Sequence, residues 1–312
     1  MTKENTSVTA QDLEEIWGEK LSDYTKKKVE EYNLVYSELS QEERDSWIFL
    51  LIKTIFESRD IIKAGKHRHS QWEKGWGENL KLFSSTKELD CLSPRYFGKY
   101  NAVRWRSDLV KPTSKDFEKN SLSIIQNWLF DKYLRSVSSI YEFGCGTGHN
   151  LFRAQEVNPS ASLYGLDWAE ASKNIIETLK KENLLRKASG HCFDFFDPDP
   201  NFHLDENSGV YTVAALEQIG PNFEKFIDYL INEKPQICIH IEPITELLDK
   251  TKILDYLSIK YFELRNYLSG FLTYLKKLEN EGKIKIHQAQ RTYTGSLFIE
   301  GHSVVVWSPS DL

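Results

Sequence analysis

A short stretch near the middle of the chain, residues 138–167, constrains the fold more than any other part of the sequence. It reads SSIYEFGCGTGHNLFRAQEVNPSASLYGLD. An apolar run leads into three glycines at alternate positions, and a helical segment and a second apolar run ending at Asp167 follow. This order predicts a βαβ unit: a strand, a tight turn, a helix and a second strand. The turn glycines Gly144, Gly146 and Gly148 would let a ligand come close to the backbone.

The length and charge of the chain narrow the classes of protein to which it can belong. It has 312 residues, of which 40% are hydrophobic, enough for two domains with a sizeable core. Its formal net charge of -6 argues against a nucleic-acid-binding protein, because such proteins carry basic surfaces. There is no run of about 18 apolar residues to span a membrane, and no apolar core of a secretory signal near the first residue. The four cysteines are widely spaced, so a cytoplasmic protein with free thiols is expected.

The second part of the chain alternates strand and helix patterns. Five strands separated by helical or loop segments are predicted over residues 138–143, 162–167, 190–194, 209–214 and 236–241. Such βα units form a mostly parallel sheet with helices on both faces. Two further strands, 284–291 and 303–308, have no helix between them and should form an antiparallel hairpin at the end of the sheet. The predicted fold is α/β: a seven-stranded, mostly parallel, doubly wound Rossmann-like sheet in a domain spanning residues 113–312.

Residues 1–112 are predicted to form a helical cap region. Apolar residues recur at helical spacing behind capping boxes that begin at Thr9 and Ser40. Between residues 65 and 112 the helical period fails, and six glycine and proline residues interrupt the segment. This segment is predicted as a long functional loop, because its many aromatic residues argue against disorder.

Two nucleotide-binding patterns compete for the glycine turn. A dinucleotide fingerprint, G-x-G-x-x-G, needs a glycine at the sixth position, which is His149 here. The glycines fall instead as G-x-G-x-G behind an acidic residue, in the sequence EFGCGTG. This arrangement resembles motif I of the class I S-adenosylmethionine-dependent methyltransferases. The resemblance covers residues 121–312, including the terminal hairpin, is most specific over 138–196, and does not include the N-terminal third.

The resemblance implies S-adenosylmethionine as the cofactor and a set of residues that hold it. Glu142 would orient the methionine amino group, and Asp167 would accept hydrogen bonds from the ribose hydroxyls. Trp168 would pack on the adenine, while Asp194 would accept its exocyclic amine beside Phe195. The implied cofactor-binding residues are Glu142, Gly144, Gly146, Gly148, Asp167, Trp168, Asp194, Phe195 and Leu216.

Some of these roles have open alternatives. Asp197 and Asp199 lie close enough in sequence to replace Asp194. Trp168 is equally compatible with ordinary core packing.

Methyl transfer to a hydroxyl needs a base that removes the proton. The catalytic candidates are Glu217, His240 and Glu242, all at the edge of the sheet that carries the glycine turn. His240 and Glu242 alternate onto one face of the fifth strand, although polar residues are unusual in a buried parallel strand. His240 is equally compatible with a hydrogen-bonded core histidine, and a His-x-Glu pair can also bind a metal. No third ligand is identifiable, so no metal is predicted; His302 is a weaker candidate and is expected to be exposed.

The segment from 65 to 110 is the best candidate for recognition of the methyl acceptor. Arg95, Arg104 and Arg106 would hold a phosphate or carboxylate. Trp76 and neighbouring aromatic residues would stack on a sugar or a ring. The alternative is that these aromatic residues anchor the cap region onto the sheet.

The predicted function is that of an S-adenosylmethionine-dependent methyltransferase. The expected acceptor is a small molecule, methylated on a hydroxyl of a sugar, a glycan precursor or a secondary metabolite. A protein or peptide methyltransferase is the first alternative, and a catalytically silent adenosylmethionine-binding interaction module is the second. Neither a membrane nor a nucleic acid is an expected partner, and the oligomeric state is left open.

Overall fold

A computed structural model describes residues 4–58 and 61–310 and contains a seven-stranded sheet in the second part of the chain. The twelve strands of the described residues are β1 Thr6–Ser7, β2 Val35–Glu38, β3 Val103–Trp105, β4 Asp108–Pro112, β5 Ser139–Phe143, β6 Ser162–Asp167, β7 Ala188–Cys192, β8 Ser208–Val213, β9 Ile237–Glu242, β10 Ile284–Gln290, β11 Thr294–Gly295 and β12 Ser303–Pro309. The α-helices are α1 Ala10–Trp17, α2 Asp23–Tyr32, α3 Gln41–Glu57, α4 His69–Thr86, α5 Phe117–Tyr133, α6 Leu151–Val157, α7 Glu170–Lys181, α8 Glu224–Glu233, α9 Ile253–Arg265 and α10 Phe271–Asn280.

The seven-stranded sheet has the order β10-β12-β9-β8-β5-β6-β7. The five strands β5 to β9 are parallel, and β12 pairs antiparallel with both β9 and β10. The α/β class, the seven strands and the terminal antiparallel hairpin predicted from the sequence are therefore confirmed. The chain crosses from β5 outward to β7 and then returns to β8, so the strand order reverses beside β5, where ligands bind in open α/β sheets.

The sheet is buried on both faces because alternate residues of its strands enter different core layers. Ile140 of β5 and Ile239 of β9 pack with residues of α5 and α7 on one face. Tyr141 of β5 and Cys238 of β9 pack with residues of α8 and α10 on the other. Every residue of β5, β8 and β9 is buried. This rigid double layer fixes the positions of the loops at the carboxyl ends of the strands.

The N-terminal third is mixed α/β rather than helical, which corrects the prediction. A second sheet of five short strands has the order β1-β2-β4-β3-β11. Val35, in the region predicted to be helical, begins β2 and pairs with Ser7 of β1. β3 and β4 are joined by Arg106 and Ser107, both in left-handed conformation (φ 49° and 66°). A two-residue hairpin turn of this kind is normally marked by Asn or Gly, so the sequence carried no signal for it.

The fifth strand of the second sheet comes from the far end of the chain. Thr294 and Gly295 of β11 pair with Trp105 and Arg104 of β3. The loop between β10 and β12 therefore crosses to the N-terminal region before the chain returns to the main sheet. The domain boundary predicted between residues 112 and 113 coincides with the end of β4 and remains a prediction.

The segment predicted as a long loop contains an 18-residue helix, α4. Gly75 and Gly77 lie inside it and weaken its intrinsic helical preference. Trp72, Trp76 and Phe83 on this helix are nevertheless buried or half-buried, and the helix packs along α7. Tertiary packing thus stabilises α4 in spite of its weak helix propensity. For this reason the lack of a helical period in the sequence led to the prediction of a loop.

Within residues 4–58 and 61–310, no helix is long and apolar enough to cross a membrane.

Candidate active site

The glycine turn begins where β5 ends and runs against the turn that follows β8. Gly144 has a φ of 75°, and a Cβ atom placed on it would lie 2.4 Å from the Cβ of Ala215. An added Cβ on Gly146 would lie 2.9 Å from the ring of Trp76. Side chains at these positions are therefore excluded both by backbone conformation and by close neighbours.

Asp167 ends β6 and is linked to the glycine turn. Its Oδ2 accepts a hydrogen bond of 2.9 Å from the amide of Gly146, and its Oδ1 accepts one of 2.9 Å from the amide of Ala169. Burial raises the pKa of Asp167 to about 6, although both amide bonds act in the opposite direction. Each carboxylate oxygen keeps a lone pair for a further donor, so Asp167 can still bind a hydroxyl.

A cleft of about 470 Å³, a volume that includes the open solvent at its mouth, lies at this edge of the sheet. Four of the residues predicted to bind the cofactor line it together: Gly144, Asp167, Trp168 and Phe195. The opposite wall is formed by α4, whose Trp72 and Trp76 stack with ring centroids 5.3 Å apart. The remaining lining residues are Ala214, Ala215, Gln218 and Ile219.

A second, larger cavity of about 1590 Å³, which includes its open mouth, adjoins the cleft. The two share Trp72, Ala214 and Gln218 as walls. The aromatic residues that line the larger cavity are Trp72, Tyr96, Tyr100, Tyr261, Tyr267 and Phe298. Its ionisable residues besides the tyrosines are Lys99, Glu118, Glu217, Arg265 and His302. Molecules bound in the two spaces would meet at the shared walls.

No protein family model and no curated protein matches the sequence. Solved structures do match the fold. The [4+2]-cyclase SpnF is 8% identical with a TM-score of 0.52, over 81% of this chain and 98% of its own. The magnesium protoporphyrin IX methyltransferase ChlM from Synechocystis PCC 6803 with bound SAH is 14% identical with a TM-score of 0.46, over 62% of this chain and 83% of its own. The plantazolicin methyltransferase BpumL in complex with SAH is 13% identical with a TM-score of 0.42, over 87% of this chain and 99% of its own.

The chain shares its fold with SpnF. Its seven-stranded sheet with a terminal antiparallel hairpin is the sheet that the resemblance to class I S-adenosylmethionine-dependent methyltransferases predicts. At such low identities the similarity shows this fold and leaves the reaction to be argued from the site.

Five residues predicted to bind the cofactor are not among the residues that line the cleft: Glu142, Leu216, Asp194, Gly146 and Gly148. Glu142 is fully buried and accepts hydrogen bonds from Asn150 Nδ2 (2.7 Å) and from the Tyr211 hydroxyl (3.0 Å). Burial raises the pKa of Glu142 to about 8. Leu216 lies in the core on the α8 face of the sheet.

Asp194 is the third of these residues and lies two positions beyond β7. It accepts a hydrogen bond of 2.8 Å from the amide of Phe196 and lies 3.5 Å from Lys66 Nζ. The carboxyl therefore has two protein partners near the rim of the site. Gly148, the last glycine of the turn, faces α7 instead, since an added Cβ would lie 2.2 Å from Ile176 of this helix.

Of the three catalytic candidates, Glu217 lines a cavity. Gln218 Nε2 donates a 2.7 Å hydrogen bond to Glu217 Oε1, and Arg68 donates a 2.5 Å bond to Gln218 Oε1. Burial, and then the neighbouring Glu242, raise the pKa of Glu217 to about 8. The chain from Arg68 through Gln218 holds this carboxyl at the junction of the two cavities.

His240 and Glu242 are fully buried in β9 and are engaged by protein groups. The His240 ring lies 2.9 Å from Thr212 Oγ1 through Nδ1, and its Nε2 accepts a 2.9 Å bond from the indole of Trp307. Burial lowers the pKa of His240 to about 3. Glu242 accepts hydrogen bonds from the amides of Ala215, Leu216 and Glu217, so it fixes the turn that carries Glu217. The geometry thus favours Glu217 over His240 as the proton acceptor.

The residues predicted to bind the acceptor are dispersed. Arg104 is buried and donates to the carbonyls of Leu254, Leu297 and Phe298, which fastens the loop between β10 and β12. Arg106 lies in the β3–β4 turn and pairs with Asp12 at 2.8 Å. Arg95 is exposed, and Trp76 lines the smaller cleft. The structure does not bring the three arginines together.

Sequence reasoning missed one carboxyl of the larger cavity and misjudged one histidine. Glu118 on α5 is only 7% exposed, and burial raises its pKa to about 8. An acidic residue in the first turn of a helix is ordinary, so the sequence gave no sign of its burial. His302, expected to be exposed, is 6% exposed because the β10–β12 loop folds over it, and burial lowers its pKa to about 4.

In the described part of the chain, no group of three or more His, Cys, Asp or Glu is arranged to hold a metal ion.

The buried Glu118 predicts a pH-dependent stability. The unfolded carboxyl ionises near 4.5, whereas the folded one keeps its proton to about 8, so the free energy of unfolding falls as the pH rises through this window. Glu118→Gln removes this loss, because glutamine has no carboxyl to ionise. We expect the gain in the free energy of unfolding of Glu118→Gln over the wild type to be about 2–3 kcal/mol larger at pH 8 than at pH 5. Urea unfolding of both proteins at the two pH values measures this, with Glu30→Gln, an exposed residue of α2, as the control. Equal effects at both pH values would contradict the burial of this carboxyl.

Proposed function

We propose that this protein is an S-adenosylmethionine-dependent methyltransferase that acts on a small molecule. The observation that carries the proposal is a pair of adjoining spaces that share Trp72, Ala214 and Gln218 as walls: the cleft beside the glycine turn and a larger cavity lined by aromatic residues. Solved structures similar to this chain include methyltransferases with bound SAH or S-adenosylmethionine. Four free cysteines support a cytoplasmic location.

The residues of the cleft fit the proposed cofactor. Gly144 lines the cleft without a side chain, so the methionine part would approach the backbone there. Asp167 would accept hydrogen bonds from the ribose hydroxyls, and Trp168 and Phe195 would enclose the adenine between aromatic faces. The buried Glu142 would act indirectly, through Asn150, and Asp194 would act from the rim of the site. The bound cofactor would supply an activated methyl group on a positively charged sulfur.

The proposed acceptor atom is a hydroxyl oxygen, and Glu217 would remove its proton. Glu217 lines the larger cavity beside Gln218, which both spaces share. A carboxyl with a raised pKa is a better proton acceptor than an ordinary glutamate, provided that it is ionised when the acceptor binds. Gln218 would hold the carboxyl in one orientation while the methyl group is transferred.

The first test is the cofactor itself. We expect wild-type protein to bind S-adenosylhomocysteine in a calorimetric titration, and Asp167→Asn to bind it about tenfold more weakly. The weakening follows because the amide has one acceptor oxygen where the carboxylate has two. Asp197→Asn, which changes an exposed acid that pairs with Lys225, is the matched control. If the wild type does not bind S-adenosylhomocysteine, the proposed function is wrong.

The second test is the proton acceptor. Transfer of labelled methyl groups from S-adenosylmethionine to the low-molecular-weight fraction of a cell extract should fall about 100-fold or more in Glu217→Gln. Affinity for S-adenosylhomocysteine should change less than about twofold. If His240→Gln no longer transfers methyl groups and Glu217→Gln still does, His240 rather than Glu217 is the proton acceptor. Label transferred to protein instead of small molecules would favour the peptide or protein methyltransferase alternative, and no transfer at all would favour the silent binding module.

A further inference from the structure

Glu118 is a buried carboxyl without a partner in the part of the chain that the structure describes. Among residues 4–58 and 61–310, no side chain or amide donates a hydrogen bond to it and no cation pairs with it, although its relative exposure is only 7%. Burial raises its pKa. A buried polar group in this condition costs free energy that a hydrogen-bonding ligand would restore.

The surroundings of Glu118 favour a cationic ligand. The protein already places cations over the aromatic walls of this cavity: Arg68 lies 4.7 Å from the ring centroid of Trp72, Arg265 lies 5.1 Å from that of Tyr267, and Lys99 lies 5.4 Å from that of Tyr100. Arg265 also lies 6.0 Å from the ring centroid of Tyr261, so these cations occupy four of the aromatic rings. Tyr96, which also lines the cavity, is within electrostatic range of Glu118 and has no such cation in the described residues.

We propose that Glu118 is the binding site for an ammonium group of the methyl acceptor, held between this carboxylate and the ring of Tyr96. The substrate class would then be a hydroxyl compound that also carries a primary or secondary amine. The proposal rests on the proposed function, because it assigns one end of the acceptor in the same cavity. Glu217 faces the hydroxyl that is methylated, and Glu118 holds the amine.

A second unpartnered group supports binding of a polar ligand here. His302 lines the same cavity, and its buried Nδ1 has no hydrogen-bond partner. Two buried polar groups on different elements, α5 and β10–β12, thus lack partners around one space. An acceptor with several polar groups would satisfy both of them.

Binding of an ammonium group to Glu118 should release a proton. The neutral carboxyl must ionise to pair with the cation, so near pH 7 about one proton should leave for each ligand bound. The other titratable groups that line the cavity, and that must be considered in this experiment, are Tyr96, Lys99, Tyr100, Glu217, Tyr261, Arg265, Tyr267 and His302. Calorimetry in two buffers with different ionisation enthalpies measures this number.

The test uses tyramine, which carries a phenol and an ammonium group, and 4-propylphenol, in which a methyl group replaces the ammonium. Both are titrated into the full chain saturated with S-adenosylhomocysteine. We expect tyramine to bind about tenfold more tightly than 4-propylphenol to the wild type, and the two to bind about equally to Glu118→Gln. The proton release should also be absent in Glu118→Gln.

Several results would overturn the assignment. One is equal binding of the two probes to the wild type, or no detectable binding of tyramine. Another is a preference for tyramine that persists in Glu118→Gln but is lost in Glu217→Gln, which would place the amine at the other carboxyl. S-adenosylhomocysteine affinity, measured on the same samples, shows that each variant is folded. It also separates two failures. If the proposed function is wrong, S-adenosylhomocysteine does not bind to the wild type; if only the assignment of Glu118 is wrong, it binds but the two probes do not differ as expected.

Discussion

Gly144→Val is expected to weaken S-adenosylhomocysteine binding by about 100-fold or more. The new side chain would begin 2.4 Å from the Cβ of Ala215 and 3.3 Å from the ring of Phe195, and all three residues line the proposed cofactor cleft. The backbone φ of 75° is also unfavourable for a β-branched residue. Relief of either strain requires the turns after β5 and β8 to separate, which distorts the cleft. Calorimetric titration and thermal unfolding of the same samples measure both effects.

Gly18→Val is the matched control for this prediction. Gly18 has a nearly identical φ of 73°, but a Cβ on it meets nothing within 4 Å. This variant should lose about 1–2 kcal/mol of stability from backbone strain alone and keep its affinity for S-adenosylhomocysteine. If Gly144→Val binds the ligand as tightly as Gly18→Val does, the glycine turn is not in contact with the cofactor.

Arg291→Met is expected to be the most destabilising of the single substitutions considered. The Arg291 guanidinium donates to both oxygens of Asp255 and both of Glu300, at distances from 2.5 to 2.9 Å. Each of these carboxyl residues is only 2% exposed. Removal of the guanidinium leaves two buried carboxyl groups without their cation, for which a loss of about 3–5 kcal/mol is typical. Urea unfolding gives the loss directly.

Arg106→Met provides the comparison, because Arg106 forms an ion pair with Asp12 on the surface. Both side chains of that pair are more than a quarter exposed, so the expected loss is below about 1 kcal/mol. Asp255 belongs to α9, and Glu300 to the loop that folds over His302, so Arg291→Met should also disturb the larger cavity. A loss as small as that of Arg106→Met would show that the buried cluster relaxes without its arginine.

The main sheet could be predicted because its information is local. At Gly144 a strand, a left-handed turn and a helix follow one another within a few residues, and each of them has a recognisable sequence pattern. The same is true of Asp167, whose position at the end of β6 follows from the length of the βα unit. Such local patterns identify the elements, and the connection rules of α/β proteins then order them.

The larger cavity could not be predicted, because its walls join distant parts of the chain. Glu118 looks like a solvent-exposed charge until the 96–103 segment and the β10–β12 loop cover it. Arg104 looks like an anion-binding residue, yet three backbone carbonyls from residues 254–298 use its donors. His240 was correctly placed in β9, but its two hydrogen-bond partners lie on neighbouring strands that the sequence does not align. Contacts of this kind depend on tertiary structure, which no local pattern encodes.

The crossing of β11 into the second sheet has a consequence for biosynthesis. A ribosome delivers β1 to β4 early, but their five-stranded sheet lacks β11 until residues 294–295 have emerged. Strands β1 to β4 must therefore wait, incompletely paired, while the chain between β4 and β11 is translated. Proteins with such long-range pairings fold slowly and expose unpaired strand edges in the interval. We expect nascent chains stalled before β11 to bind chaperones, and the larger cavity to form only after the β10–β12 loop has emerged.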